Sequence, residues 1–276
     1  MDILQYTFFQ NALIGILLIS VIAAIIGTYI VTRRMVFIAG GLTHASFGGL
    51  GIGYFAGISP TLSALLFAIV TAIGIDISSH TKRIREDSAI ALFWAVGMAV
   101  GIIFIFLTPG YTPGLSEFLF GNILTINRTD IIIFALYTVV LLLYVILQYR
   151  PILYTAFDAD FATIKGIRTK RINTIMMLFI AIGVVLSTRL IGIMLLMSVF
   201  TLPQIIAELF TAQYKYIMLL SGLITLAGSL VGLFISAIIA VPTGACIVVV
   251  FVFVYALAKA IHTLRSRHTL TTNTKQ

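Results

Sequence analysis

The chain has 276 residues, of which 61% are hydrophobic and 9% charged, and its formal net charge is +8. Soluble domains carry about 25% charged residues, so this composition excludes a water-soluble fold, whereas lipid solvates apolar side chains directly. The basic residues lie in short clusters between apolar runs, a pattern that suits an anionic membrane surface and argues against nucleic acid.

A helix needs about 20 apolar residues to cross a bilayer. Candidate spans follow in order at 11–31, 36–56, 60–79, 88–107, 129–148, 172–188, 190–208, 214–238 and 243–262. The expectation is an all-α, polytopic integral membrane protein with eight or nine transmembrane helices. Residues 1–262 form one transmembrane domain, and 263–276 form a polar, disordered tail. Met1 to Gln10 lack the positive segment of a signal peptide, so the first span reads as a retained helix.

The second span carries Gly40, Gly41, Gly48, Gly49, Gly51 and Gly53, which weaken a helix but allow close helix–helix approach. A charged loop, Lys82 to Asp87, follows the third. After the fourth comes a turn-rich stretch, Thr108 to Gly114, then Leu115 to Ile126, too short to span and read as a re-entrant or interfacial helix carrying Glu117. Glu117 either attracts cations or a partner protein at the mouth, or is simply solvated.

Arg150 to Arg171 is the longest polar insert, and residues 157–166 read as a short amphipathic helix within it. Asp158 and Asp160 sit at its start, Lys165 near its end and Gly166 at its stop, an order that suits the helix dipole and a glycine cap. Ser187-Thr188-Arg189 reads either as a tight turn between two spans or as a charged break in a bent helix. Alternating spans put all the basic residues but Arg128 and Arg189 on one side. The positive-inside rule makes that side cytoplasmic, with the C-terminus inside and the N-terminus outside.

Four passages in this order resemble the permease subunit of the zinc/manganese family of ABC importers, of type II importer fold. They are Arg33-Arg34-Met35 with Leu42-Thr43-His44-Ala45, then Arg85-Glu86-Asp87-Ser88-Ala89-Ile90, then Leu119-Phe120-Gly121-Asn122-Ile123-Leu124, then Phe157-Asp158 through Ala162 to Gly166. Val241-Pro242-Thr243-Gly244-Ala245 adds a fifth match. The resemblance covers about residues 11–260. It implies a homodimer, a cytoplasmic ATP-binding subunit, an extracytoplasmic metal-binding protein, and a divalent metal ion, zinc or manganese, as transported cargo with no permanently bound cofactor. It also implies ATPase coupling through Phe157, Asp158, Asp160, Phe161, Ala162, Lys165 and Gly166. The chain has no Gly-x-x-x-x-Gly-Lys-Ser/Thr loop, so ATP hydrolysis is expected on another subunit and the chain is not expected to be an enzyme.

His44 is the leading pathway residue, because an ionisable group inside a span points to function and imidazole ligates zinc and accepts manganese. The bland alternative is a histidine hydrogen-bonded inside the bundle. Where the resemblance implies an acidic residue one turn earlier, this chain has Gly40. Thr43 and Ser46 offer hydroxyls beside His44, and Glu208 and Asp76 offer carboxylates that serve equally as interfacial caps. Met98, Met194 and Met197 suggest a soft path for copper(I), although methionines in apolar helices usually pack. His80, His262 and His268 share no ligand spacing. Cys246 is the only cysteine, which excludes an intrachain disulfide and a cysteine cluster. An ion-coupled secondary transporter and a permease for a non-metal cargo are the competing functions. A non-transporting membrane scaffold is a third.

Overall fold

A computed structural model describes residues 5–80, 85–110, 121 and 126–273; of His80, Arg189, Leu190, Met194, Leu195 and 265–273 it describes the backbone alone. The described residues are helical, without strands. The helices are α1 (Thr7–Thr32), α2 (Phe37–Ala56), α3 (Pro60–His80), α4 (Glu86–Leu107), α5 (Arg128–Leu147) and α6 (Tyr149–Phe157). They continue with α7 (Ala159–Ile164), α8 (Thr169–Ile191), α9 (Ile193–Val199), α10 (Leu202–Glu208), α11 (Tyr214–Ile239) and α12 (Thr243–Asn273). Leu115 to Phe120, with Glu117, lies outside the described residues, as do Lys82 and Arg83.

Seven of these helices, α1, α3, α4, α5, α8, α11 and α12, are long and apolar enough to cross a bilayer unaided. Helix α2 has the length, 20 residues, but its glycines and His44 dilute its apolar content, and 14 of those residues are buried. It packs between α3 and α4 and also meets α8 and α9. A helix enclosed by other helices has no need of a lipid-compatible surface, so it tolerates the polar and small residues that a lipid-facing helix would not.

Local chemistry sets several helix ends. Asn127 and Asp130 bond reciprocally to each other's backbone and cap α5. Glu86 and Asp87 occupy the first turn of α4, where the helix dipole favours negative charge. Between α1 and α2, Arg34 takes a left-handed conformation, φ 58°, and the chain reverses.

The region around 190 differs from expectation. Helix α8 runs without a turn through Ser187-Thr188-Arg189 to Ile191. Ser187 and Thr188 are fully buried, and the Thr188 hydroxyl donates to the Val185 carbonyl, whereas the Ser187 hydroxyl has no partner. The break comes at Gly192, whose φ of 86° and ψ of 159° are open to glycine alone. The span expected at 190–208 is then split into two seven-residue helices, α9 and α10. They return the chain to the end where α1 finishes, since Glu208 lines a cavity there with Arg33 and Arg34. With that broken span and α2, the seven apolar helices make nine crossings.

The helix expected over 157–166 is two pieces. Phe157 closes α6, and Asp158 stands between as the N-cap of α7, its side chain accepting from the Phe161 amide. Gly166, at φ 78°, ends the turn, with its amide and that of Ile167 returning to the Thr163 and Ala162 carbonyls. Helix α12 keeps its helical backbone to Asn273, beyond residue 262.

Candidate functional site

Helix α2 places His44 about 10 Å along its axis from Phe37, at 1.5 Å per residue. The half-buried imidazole stacks on the indole of Trp94 in α4, with centroids 4.3 Å apart and planes 7° from parallel. Such a pair contributes about 0.5–1.5 kcal/mol beyond area burial and holds the imidazole plane. Nδ1 of His44 is buried and has no hydrogen-bond partner. An unpaired buried polar atom costs about 1–3 kcal/mol, so this nitrogen is either a standing cost or a ligand position.

One turn earlier, Gly40 faces the same neighbours. A Cβ built there would lie 3.2 Å from Met197 Sδ and 3.6 Å from Trp94 Cζ3. Gly40, His44, Trp94 and Met197 therefore meet where α2, α4 and α9 converge. The stack arises because α2 and α4 approach backbone to backbone. A Cβ at Gly48 would lie 2.8 Å from the Gly97 carbonyl oxygen, and one at Gly51 would strike Gly101. Without those small residues the helices would separate and Trp94 could not reach His44.

The other sequence candidates fall elsewhere or are already engaged. Thr43 and Ser46 are fully buried, with their hydroxyls turned back onto the Ala39 and Thr43 carbonyls of the same helix. Asp76 is buried, and its Oδ2 accepts from the Thr174 hydroxyl, tying α3 to α8. Glu208 is exposed and borders a 700 Å³ cavity with Arg33, Arg34, Thr155 and Phe157. That cavity lies at the other end of the first stretch of α2 from His44. Met98 packs against the core, while Met197 is placed against Gly40. His262 is exposed. Among the described residues no three His, Cys, Asp or Glu side chains come together as a metal cluster.

The end of the bundle carrying Arg33 and Arg34 also carries a protruding handle. Phe157, Phe161 and Ile164 are exposed, Ile164 by 85%, while Ala162 is buried as the anchor of the turn. Lys165 Nζ lies 5.6 Å from the Phe161 ring centroid, and Asp160 stands exposed beside them. Arg33 Nη1 donates to the Thr155 carbonyl at 3.0 Å, joining the end of α1 to α6. Three exposed apolar side chains lie together where α6 meets α7.

Trp94 and Met197 are the residues sequence reasoning missed or undervalued. The sole tryptophan of the chain, set inside a span, was the available signal for the first. Nothing in the order of the chain connects Met197 with Gly40.

Comparison with known proteins bears on the fold and the family. A manganese transport system membrane protein of Halalkalibacterium halodurans is 32% identical over 257 residues, covering 93% of this chain and 88% of its own. A manganese import system permease protein of Streptococcus parasanguinis is 30% identical over 244 residues, covering 88% and 87%. PsaBC from Streptococcus pneumoniae, solved in complex with a Fab, matches with a TM-score of 0.82 at 27% identity, covering 93% of each chain. The model of the ABC 3 transport family matches residues 5–262, nearly the whole bundle, and the chain belongs to that family.

Proposed function

We propose that the chain is the membrane permease of an ATP-driven importer of divalent metal ions, zinc, manganese or iron, and that His44 lines its path. The observation that carries this reading is the imidazole in the glycine-rich helix, with a buried, unpartnered Nδ1 held by Trp94. The names of the relatives, manganese transport and manganese import, favour a metal cargo.

Two copies enclose the path in this reading, because the His44 face is half-buried within one chain rather than sealed inside it. The basic end faces the cytoplasm by the positive-inside rule, with the C-terminus on that side of the plasma membrane. The handle at 157–166 is then the docking element for an ATP-binding subunit. Closure of the ATPase pair on ATP pushes that handle. Arg33 relays the push to α1 and α2 through Thr155. The path opens to one side at a time, and an extracytoplasmic metal-binding protein delivers the ion. ATP hydrolysis belongs to the partner, and the metal is cargo rather than a resident cofactor.

The test is His44→Ala in the full transporter. ATP-dependent Mn²⁺ or Zn²⁺ uptake is expected to fall at least tenfold, ~1.4 kcal/mol or more, while the complex still assembles. Normal uptake by the assembled variant overturns the pathway role.

A further inference from the structure

The Gly40 notch is built differently from Gly48, Gly49 and Gly51 of α2. Cβ atoms at Gly48, Gly49 and Gly51 would run into the backbone of neighbouring helices, whereas one at Gly40 meets only the tip of Met197 and the edge of Trp94. Packing does not demand glycine at position 40. What the absent side chain leaves is room for a thioether, whose sulfur lies 3.2 Å from the Cβ position. Half-buried Met197 thus borders the Gly40 notch one turn from half-buried His44, which stacks on Trp94, and the imidazole keeps a buried Nδ1 without a partner. Among the described residues, the two carboxylates that the sequence offered lie elsewhere, since Asp76 is bonded to Thr174 and Glu208 stands at the cavity by Arg33.

We propose that Met197 is a specificity-determining residue of the cation path, its thioether working beside the His44 imidazole in a carboxylate-free step that favours soft and borderline cations over hard Mn²⁺. Thioether sulfur and imidazole nitrogen suit soft and borderline ions, whereas hard divalent ions want carboxylate oxygen. A passing ion also gains from few and weak donors, since it must leave again. The inference rests on the reading of His44 as a path residue.

Trp94 is the only tryptophan of the chain, so its emission reports on this face alone. The experiment titrates the purified full-length permease, in lipid nanodiscs, with Ag⁺ as an air-stable soft cation, Zn²⁺ and Mn²⁺. Cys246→Ser serves as background, to remove the one competing thiol. The emission change is expected at the lowest concentration with Ag⁺, then Zn²⁺, then Mn²⁺. Met197→Leu, close in volume, is expected to weaken Ag⁺ by about tenfold and Mn²⁺ by less than about twofold. Gly40→Asp is expected to tighten Mn²⁺ by about tenfold by adding a carboxylate one turn from His44. Mn²⁺ responding at or below the Ag⁺ concentration overturns the proposal, as does a Met197→Leu effect that is absent or equal for all ions. The titration needs no transport. A response with this selectivity in a permease that supports no ATP-dependent uptake would leave the site standing and remove the importer reading. Uptake that depends on His44 but not on Met197 would do the reverse.

Discussion

Helix α2 uses glycine in two ways within four turns. In its second half, Gly48, Gly49 and Gly51 press against the backbone of α3 and α4, where a Cβ would meet carbonyl oxygens and Cα atoms of Gly97, Ser63 and Gly101. In its first half, Gly40 meets a methionine tip and a tryptophan edge. The glycines of the second half hold helices together, because backbones cannot yield. The first-half glycines face side chains instead: Gly41 presses on Ile90, and Gly40 leaves a space whose walls can move. A glycine-rich membrane helix is therefore no single feature: the neighbour that a side chain would strike separates scaffold from site.

The contrast breaks or stands on a pair of substitutions. Gly48→Val is expected to be the more damaging of the two. Its Cβ alone would sit 2.8 Å from the Gly97 carbonyl oxygen, and overpacking a tight interface costs about 1–3 kcal/mol or more. Gly40→Ala should be neutral or stabilising, because Met197 can move by a few tenths of an ångström and alanine favours the helix over glycine by about 1 kcal/mol. Thermal unfolding of the two purified variants decides it. Equal losses would show that both halves of α2 are scaffold.

Apolar length located seven of the crossings, because the bilayer imposes a length on each span. It could not locate the break near 190. Arg189 suggested a turn there, yet Ser187 and Thr188 are buried in a continuous helix and Thr188 is satisfied by its own backbone. A buried hydroxyl that bonds back along the helix looks the same in the chain as one that starts a turn. The break was carried instead by Gly192, an unremarkable glycine until its dihedral angles are known. His44 was legible as an ionisable residue in a span. Its partners were not, because Trp94 and Met197 reach it through helix crossings that no local pattern encodes.

The handle gives a smaller effect with a separate readout. Asp158 caps α7 by accepting from the Phe161 amide, and losing such a cap costs about 1 kcal/mol. On a helix of six residues that is enough to unpin Phe161 and Ile164, which stand exposed for a partner. Asp158→Ala is expected to leave the melting temperature of the bundle nearly unchanged while lowering ATP-dependent uptake severalfold, because the site on α2 and the handle lie on different elements. Uptake and melting falling together would mean that the handle is part of the scaffold.

The smallest expected effect separates a carboxylate that packs from one that conducts. Asp76 is buried in α3 and accepts from Thr174 of α8, which also bonds its own Lys170 carbonyl. Thr174→Val keeps the shape of the side chain and deletes the hydroxyl. Asp76 makes further interactions besides this bond, so its charge does not lose all support. The loss is then one hydrogen bond to a charged group, about 1.5–3 kcal/mol at most and less where the remaining contacts compensate. Thermal unfolding should register a small drop, and metal uptake should be unchanged if Asp76 acts only as the tie between α3 and α8. A collapse of uptake with the melting temperature intact would place Asp76 in the ion's path, and the first half of α2 would no longer be the only region of the bundle with chemistry to offer a cation.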